Sequence, residues 1–370
     1  MKIQMTLKVP AAFMYGQLIR SAQADIKAHT GREVLVGSLD GFTYQKKWAN
    51  GMTGELTITH AIANQLGFKT IVDINPALFK ELKISYDDLS FFETLHVWGL
   101  RLDEGFTGAE EARMTRNPYG LKIELNMSHG TNYLASIMAY DPNRDNLIGC
   151  HNFYPQAFTG LSEAIFTEYS QQYREYGLHT AAFVSSASGK IGPWPLHDGL
   201  PTMESDRHRN IASQTTHLCL TGLIDDVIIG NAFATEAELK AVADTFLAPY
   251  PILHAEMLAS ITPLEEKIAF AAPHLYRGDA SAYLLRDTQP RITYSTASIP
   301  AHDHGQPFKR GDIVVVNDAY GRYKGEFQIV LTPFSDDGQR NLIGHVAADD
   351  ADLLTLIKPW STFSLQKRTR

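Results

Sequence analysis

Short apolar runs that end in a polar or charged residue recur through the first 250 residues, and most lead into a helical stretch. The runs are Glu33–Leu39, Thr70–Ile74, Gly99–Leu102, Leu121–Leu125, Leu147–His151, Thr180–Val184 and Asp226–Ile229, with a weaker first run at Lys2–Val9. Eight strand–helix units in about 240 residues are the size of a (β/α)8 barrel. The pattern therefore predicts an α/β fold with an N-terminal TIM barrel over residues 1–250. Such barrels carry their chemistry at the C-terminal ends of the strands, so the polar residues closing each run are the ones to inspect. Among the helices, Ser162–Tyr176 is amphipathic and closes at Gly177, a C-cap signal. The helix after Asp226–Ile229 has Thr235 as its N-cap, read without a full capping box.

The periodicity changes near Pro251. Alternating runs appear as AYLLR, RITYST, DIVVVN, EFQIVL, LIGHVA and FSLQ, separated by turn residues as in GRYKG and SDDGQ. Alternation of this kind predicts a small, closed or half-closed antiparallel β-barrel over residues 251–370, with PYPILHAEM as the junction.

Composition narrows the class. The chain has 370 residues with 44% hydrophobic and 20% charged positions, as in soluble globular proteins. No apolar run reaches the roughly 20 residues that span a bilayer, so no membrane partner is expected. The N-terminus lacks a continuous apolar core and reads as mature protein. The two cysteines, Cys150 and Cys219, make no disulfide framework and suggest a reducing cytoplasm. A net charge of −8 without a basic cluster disfavours a nucleic-acid partner. No oligomeric state follows from the sequence.

Strand parity then sorts the candidate residues. In GLRLDEGF, Arg101 and Asp103 share a face; in LKIELN, Lys122, Glu124 and Asn126 do. Charges inside strands buried on both sides need partners, and an Arg–Asp and a Lys–Glu pair on neighbouring strands would floor a pocket. Asp103 and Glu124 are the candidate catalytic carboxyl groups, with Asp73 and Glu104 in reserve. Arg101 and Lys122 are read equally well as ions that only close the barrel. CHNFYP adds His151, Asn152 and Tyr154, able to bond hydroxyls or stack on a ring. A metal site is not expected: the early strands offer no His, and His302-x-His304 lies in a loop of the β-domain. No cofactor motif is present. The loop after Thr180–Val184 offers Lys190, Arg207 and Arg209 for a phosphate, with a solvated face as the plainer role of Arg209.

RLDEGF, LKIELN, CHNFYP with TGLS, GPWPLHDGLPTMESDRHR, DDVIIGNAFA and YGRYKGEFQIVL together resemble glycoside hydrolase family 170, the bacterial 6-phospho-N-acetylmuramidases once called DUF871. The resemblance spans nearly the whole chain. It implies a TIM barrel followed by a cyclophilin-like β-domain. It also implies cytosolic cleavage of the β-1,4 bond of N-acetylmuramic acid 6-phosphate–N-acetylglucosamine, a phosphorylated amino-sugar disaccharide, in peptidoglycan recycling. Two carboxyl groups across the scissile bond suit that chemistry. In YGRYKGE, Arg322 and Lys324 are candidates for the phosphate or lactyl carboxylate, or for docking the two domains. The chain departs from the family pattern at His197 and Asp198, at Ile191-Gly192-Pro193, and in its first unit.

Two other functions fit a barrel of this kind. A sugar-phosphate isomerase or aldolase would use a Schiff-base lysine, for which Lys122 is the strand candidate, or a metal-bound carboxylate pair. A non-catalytic sugar-phosphate-binding protein would bind without turnover.

Overall fold

The computed structural model describes residues 3–6, 69–189, 197–231, 234–302 and 305–368. The run Glu33–Leu39, Lys190, Ile191-Gly192-Pro193 and His304 lie outside them. The chain divides into two compact units, Met1–Asp244 and Thr245–Arg370.

In the first unit, β1 (Ile3–Thr6) is followed by β2 (Lys69–Ile74), β3 (Gly99–Leu102), β4 (Lys122–Asn126), β5 (Leu147–Cys150), β6 (His179–Val184) and β7 (Asp226–Ile229). The order in the sheet is the order in the chain, and β2 to β7 are all parallel. Parallel strands covered on both faces read as continuous apolar runs; all four residues of β3 and of β5 are buried. Val72, Leu100, Ile123 and Leu125 pack against Phe92, Met114 and Ile137 from the intervening helices.

The expected first parallel strand, Lys2–Val9, is in its described part an antiparallel one. Ile3 lies opposite Val72 and Thr6 opposite Lys69. β1 also approaches β7, so the sheet curls back on itself. Among the described residues this is six parallel strands in a half-barrel with one antiparallel strand, rather than eight parallel strands. An apolar run specifies extended backbone; its direction and partner depend on chain elsewhere.

Local signals position the helices. Ser162 caps Glu163–Glu175, accepting from Ile165 N at 3.4 Å, and Gly177 at φ 70° ends it. Thr235 and Glu238 form a reciprocal capping box, with Thr235 N donating to Glu238 Oε2 at 2.9 Å and Glu238 N to Thr235 Oγ1 at 3.3 Å. The box is therefore complete, because Glu238 is the third residue after the cap. Gly149 is required by packing: a Cβ there would stand 2.6 Å from the Tyr173 ring.

The second unit has β8 (Ile252–Met257), β9 (His274–Leu275), β10 (Leu284–Asp287), β11 (Asp312–Val316), β12 (Phe327–Val330), β13 (Arg340–Val346) and β14 (Thr362–Lys367). Their order is β10-β12-β11-β13-β8-β14-β9, antiparallel except for β8 with β14. Arg277 N, just after β9, donates to Arg286 O of β10 at 3.0 Å, which nearly closes the barrel. The core includes Phe327, stacked on His274 with ring centroids 3.7 Å apart.

Two expectations for this unit change. PYPILHAEM is not a bare junction but contains β8, inside the sheet. RITYST is not a strand: Gln289–Thr293 is a short helix with Pro290 in its first turn. Ile292 is 63% exposed, so its alternation marks no buried face.

Candidate active site

The register of the parallel strands sets a row of charge across the first unit. Asp73 on β2 lies opposite Arg101 on β3, and Arg101 lies opposite Glu124 on β4. Arg101 Nη1 donates to Glu124 Oε1 at 3.0 Å and to the Cys150 carbonyl at 3.3 Å, while Nη2 donates to Asn152 Oδ1. Asp73 and Asp103 each approach the guanidinium at 4.0 Å. Burial works against the charge of Arg101. The acidic groups around it, Cys150 first and then Glu124, Asp73 and Asp103, outweigh that and raise its pKa above the ordinary value. Burial raises the Glu124 pKa, and the cation of Arg101 only partly opposes this.

At the ends of β3 and β4 the cluster opens outward. Asn126 Nδ2 donates to Asp103 Oδ1 at 3.1 Å. Glu124 is 2% exposed, while the Asp103 side chain is 44% exposed. The Ser128 hydroxyl accepts from Asn152 N at 2.9 Å, tying the end of β5 to the turn after β4. Tyr154 is half-buried nearby, its hydroxyl pKa raised by burial.

Asp73, Arg101, Asp103, Glu124, Asn126, Asn152 and Tyr154 are thus gathered at one edge of the sheet. His151 is not part of that surface. It is fully buried, shares hydrogen bonds with Ser128 Oγ at 3.1 Å and Ser170 Oγ at 2.8 Å, and stacks on Phe166. Burial, then Arg101, lower its pKa to about 3, so it is a neutral core histidine. Lys122 does not pair with Glu124: its Nζ donates to Asp145 O at 2.7 Å and Asn146 Oδ1 at 2.9 Å, beside the N-terminal end of β5. Arg322 and Lys324 belong to the second unit, where Arg322 is exposed and Lys324 lies 3.5 Å from Asp318. Among the described residues, no group of three or more His, Cys, Asp or Glu is placed to hold a metal ion. No helix among them is long and apolar enough to cross a membrane.

The same strand-end logic reaches residues that the sequence reading passed over. Ser185 and Ser186 follow β6, and Asn231 follows β7. They line a cavity of about 350 Å³ with His208 and Arg209. Asn231 fixes its rim, accepting from Ser186 N at 2.8 Å and donating to the Ser186 and Gly189 carbonyls. The signal was available in HTAAFVSS and VIIGN, both of which end in polar residues.

A family model described as 6-phospho-N-acetylmuramidase, N-terminal, matches residues 42–244, and its C-terminal counterpart matches 251–366. The chain belongs to the 6-phospho-N-acetylmuramidase family. This member of the family is therefore a glycosidase by kinship. Residues 1–70 match a different model, a domain of unknown function called DUF3284. The crystal structure of an uncharacterized B. cereus protein is similar with a TM-score of 0.79 and 40% identity, over 85% of this chain and 88% of that one. A second crystal structure, of a conserved Enterococcus faecalis protein of unknown function, has a TM-score of 0.64 and 28% identity, over 85% of each chain. Among curated proteins, none matches significantly.

Proposed function

We propose that this protein hydrolyses the β-1,4 bond of N-acetylmuramic acid 6-phosphate–N-acetylglucosamine, a step in recycling peptidoglycan sugars in the cytoplasm. The observation that carries the reading is the row Asp73–Arg101–Glu124 with Asp103 above it, at the C-terminal ends of adjacent parallel strands. Glycoside hydrolysis needs one carboxyl group protonated and one ionised. Glu124, with its pKa raised by burial, is assigned the proton. It donates to the glycosidic oxygen as the bond to the anomeric carbon breaks, and the N-acetylglucosamine leaves with a neutral hydroxyl. Asp103 is the ionised partner, facing the positive charge that develops on the muramyl ring and the water that replaces the leaving group. Arg101 holds both carboxyl groups from one side. Asp73, Asn126, Asn152 and Tyr154 supply hydroxyl and ring contacts. Arg322 and Lys324 carry no step in this scheme.

The Schiff-base alternative loses its support in the placement of Lys122. A non-catalytic sugar-phosphate binder would keep the cluster but not turn substrate over. The test is incubation with the phosphorylated disaccharide in the presence of EDTA, products read by mass spectrometry. Release of N-acetylglucosamine is the expected result; bound but uncleaved disaccharide would replace the glycosidase with the binder.

A further inference from the structure

We infer that His129, on the turn after β4, is a positioning residue that fixes Asp103 for the reaction. The inference rests on the two-carboxyl reading above and adds what holds its ionised member in place.

Asp103 stands where the sheet stops holding the chain. β3 ends at Leu102, which pairs with Leu125, so Asp103 lies one residue beyond the ladder. Its side chain is half-exposed. A carboxylate at such a strand end has rotamer freedom to lose, whereas a group acting at a reacting bond must be held to within about 0.5 Å. The order has to come from outside β3.

Glu111 supplies it on the chain leaving Asp103. This residue is fully buried in the first turn of the helix Ala109–Met114. Its carboxylate accepts from Gly108 N at 2.7 Å and from Phe106 N, and the Tyr133 hydroxyl donates to it. The loop after Asp103 is thereby anchored from Phe106 onward.

The opposite side is set by the turn Met127–His129. Asn126 caps this turn, its Oδ1 accepting from Ser128 N at 2.9 Å. With Oδ1 committed there, Nδ2 faces the Asp103 carboxylate, to which it donates at 3.1 Å. His129 is exposed, yet its Nε2 lies 3.0 Å from the Asp103 carbonyl oxygen and 3.1 Å from Asn126 Nδ2. A ring with its proton on Nε2 donates to that carbonyl. A ring with Nε2 bare accepts the second hydrogen of the Asn126 amide, whose first hydrogen holds the Asp103 carboxylate. In either form the imidazole braces Asp103, directly at its backbone or through Asn126. Being exposed, His129 buries little surface by these contacts; what they order is Asp103.

The test compares His129→Ala, His129→Gln and His129→Asn on the phosphorylated disaccharide, each checked for an unchanged melting profile, with crystal structures of wild type, His129→Ala and His129→Gln. A Gln amide reaches the place of Nε2 with both a donor and an acceptor, whereas the shorter Asn amide stops near the place of Nδ1. His129→Ala should lower kcat about tenfold or more and leave KM nearly unchanged, since a misplacement of about 1 Å can cost about a hundredfold. His129→Gln should recover most of the loss, and His129→Asn should not. In the crystals, the Asp103 carboxyl should be displaced or split between two conformers in His129→Ala and restored in His129→Gln. Unchanged kcat in His129→Ala, a loss confined to KM, or no recovery in His129→Gln would overturn the positioning role. So would an Asp103 carboxyl that keeps its place in His129→Ala. Failure of the wild type to cleave any disaccharide would overturn the glycosidase reading instead, and the crystal structures would still decide whether His129 places Asp103.

Discussion

Arg101 sets the electrostatics of the site, and its removal has a calculable sign. Its cation lowers the Glu124 pKa against the upward push of burial. If Glu124 donates the proton, activity falls as pH rises through that raised pKa, so the alkaline limb lies above the ordinary carboxylate range. Arg101→Gln should move the limb to still higher pH, and Glu124→Gln should abolish it; pH–rate profiles of kcat/KM check both. His217 gives a separate pH signature. Burial disfavours its charge, but the carboxylates of Asp206 and Glu163 prevail and raise its pKa from 6.5 to about 9 in the folded state. The stability it contributes is fully present below pH 6.5 and is lost as pH rises through about 9. The melting temperature should fall over that window, and the fall should be shallower in His217→Gln. Strand parity was enough to find Arg101, Asp103, Glu124 and Asn126, because alternate residues of a parallel strand face one way. It failed for His151, which lies past the last residue of β5, where the chain leaves the sheet and alternation no longer assigns a face.

At the scale of elements, strands were legible where burial on both faces made the apolar run continuous, as in β3 and β5. Ser162 and Gly177 were legible as the two ends of one helix, whereas at Thr235 only the cap was read and its partner Glu238 came from the structure. RITYST misled because alternation was read without asking what would cover it, and Pro290 starts a helix there. Asn210, whose side chain accepts from Ser213 N at 3.0 Å, caps the helix Ile211–Thr221 that carries His217. Asn210→Ala should cost about 1 kcal/mol in denaturant unfolding. Gly149→Val should cost more, about 1–3 kcal/mol, since its side chain must displace the Tyr173 ring. A neutral result for Gly149→Val would remove the packing role given to that glycine.

For the molecule as a whole, the two-part organisation was visible in the switch from helical to alternating periodicity near Pro251. The start of the chain was not. β1 lies in the stretch that matches DUF3284 and ahead of residue 42, where the N-terminal family match begins. A run there carries no information on its direction against β2, and an antiparallel strand at this edge is what the structure holds. The row Asp73–Arg101–Glu124 sits on β2, β3 and β4, beside that edge. Backbone amides shared between β1 and β2 should resist hydrogen exchange, and so should those between β3 and β4.

The most direct measurement of the central claim is kcat on the 6-phosphorylated disaccharide for wild type, Asp103→Asn and Glu124→Gln, each verified as folded. Wild type should cleave it and each variant should lose at least about a hundredfold, as befits groups that move or balance charge at the reacting bond. Near-wild-type turnover in either variant would contradict the two-carboxyl mechanism.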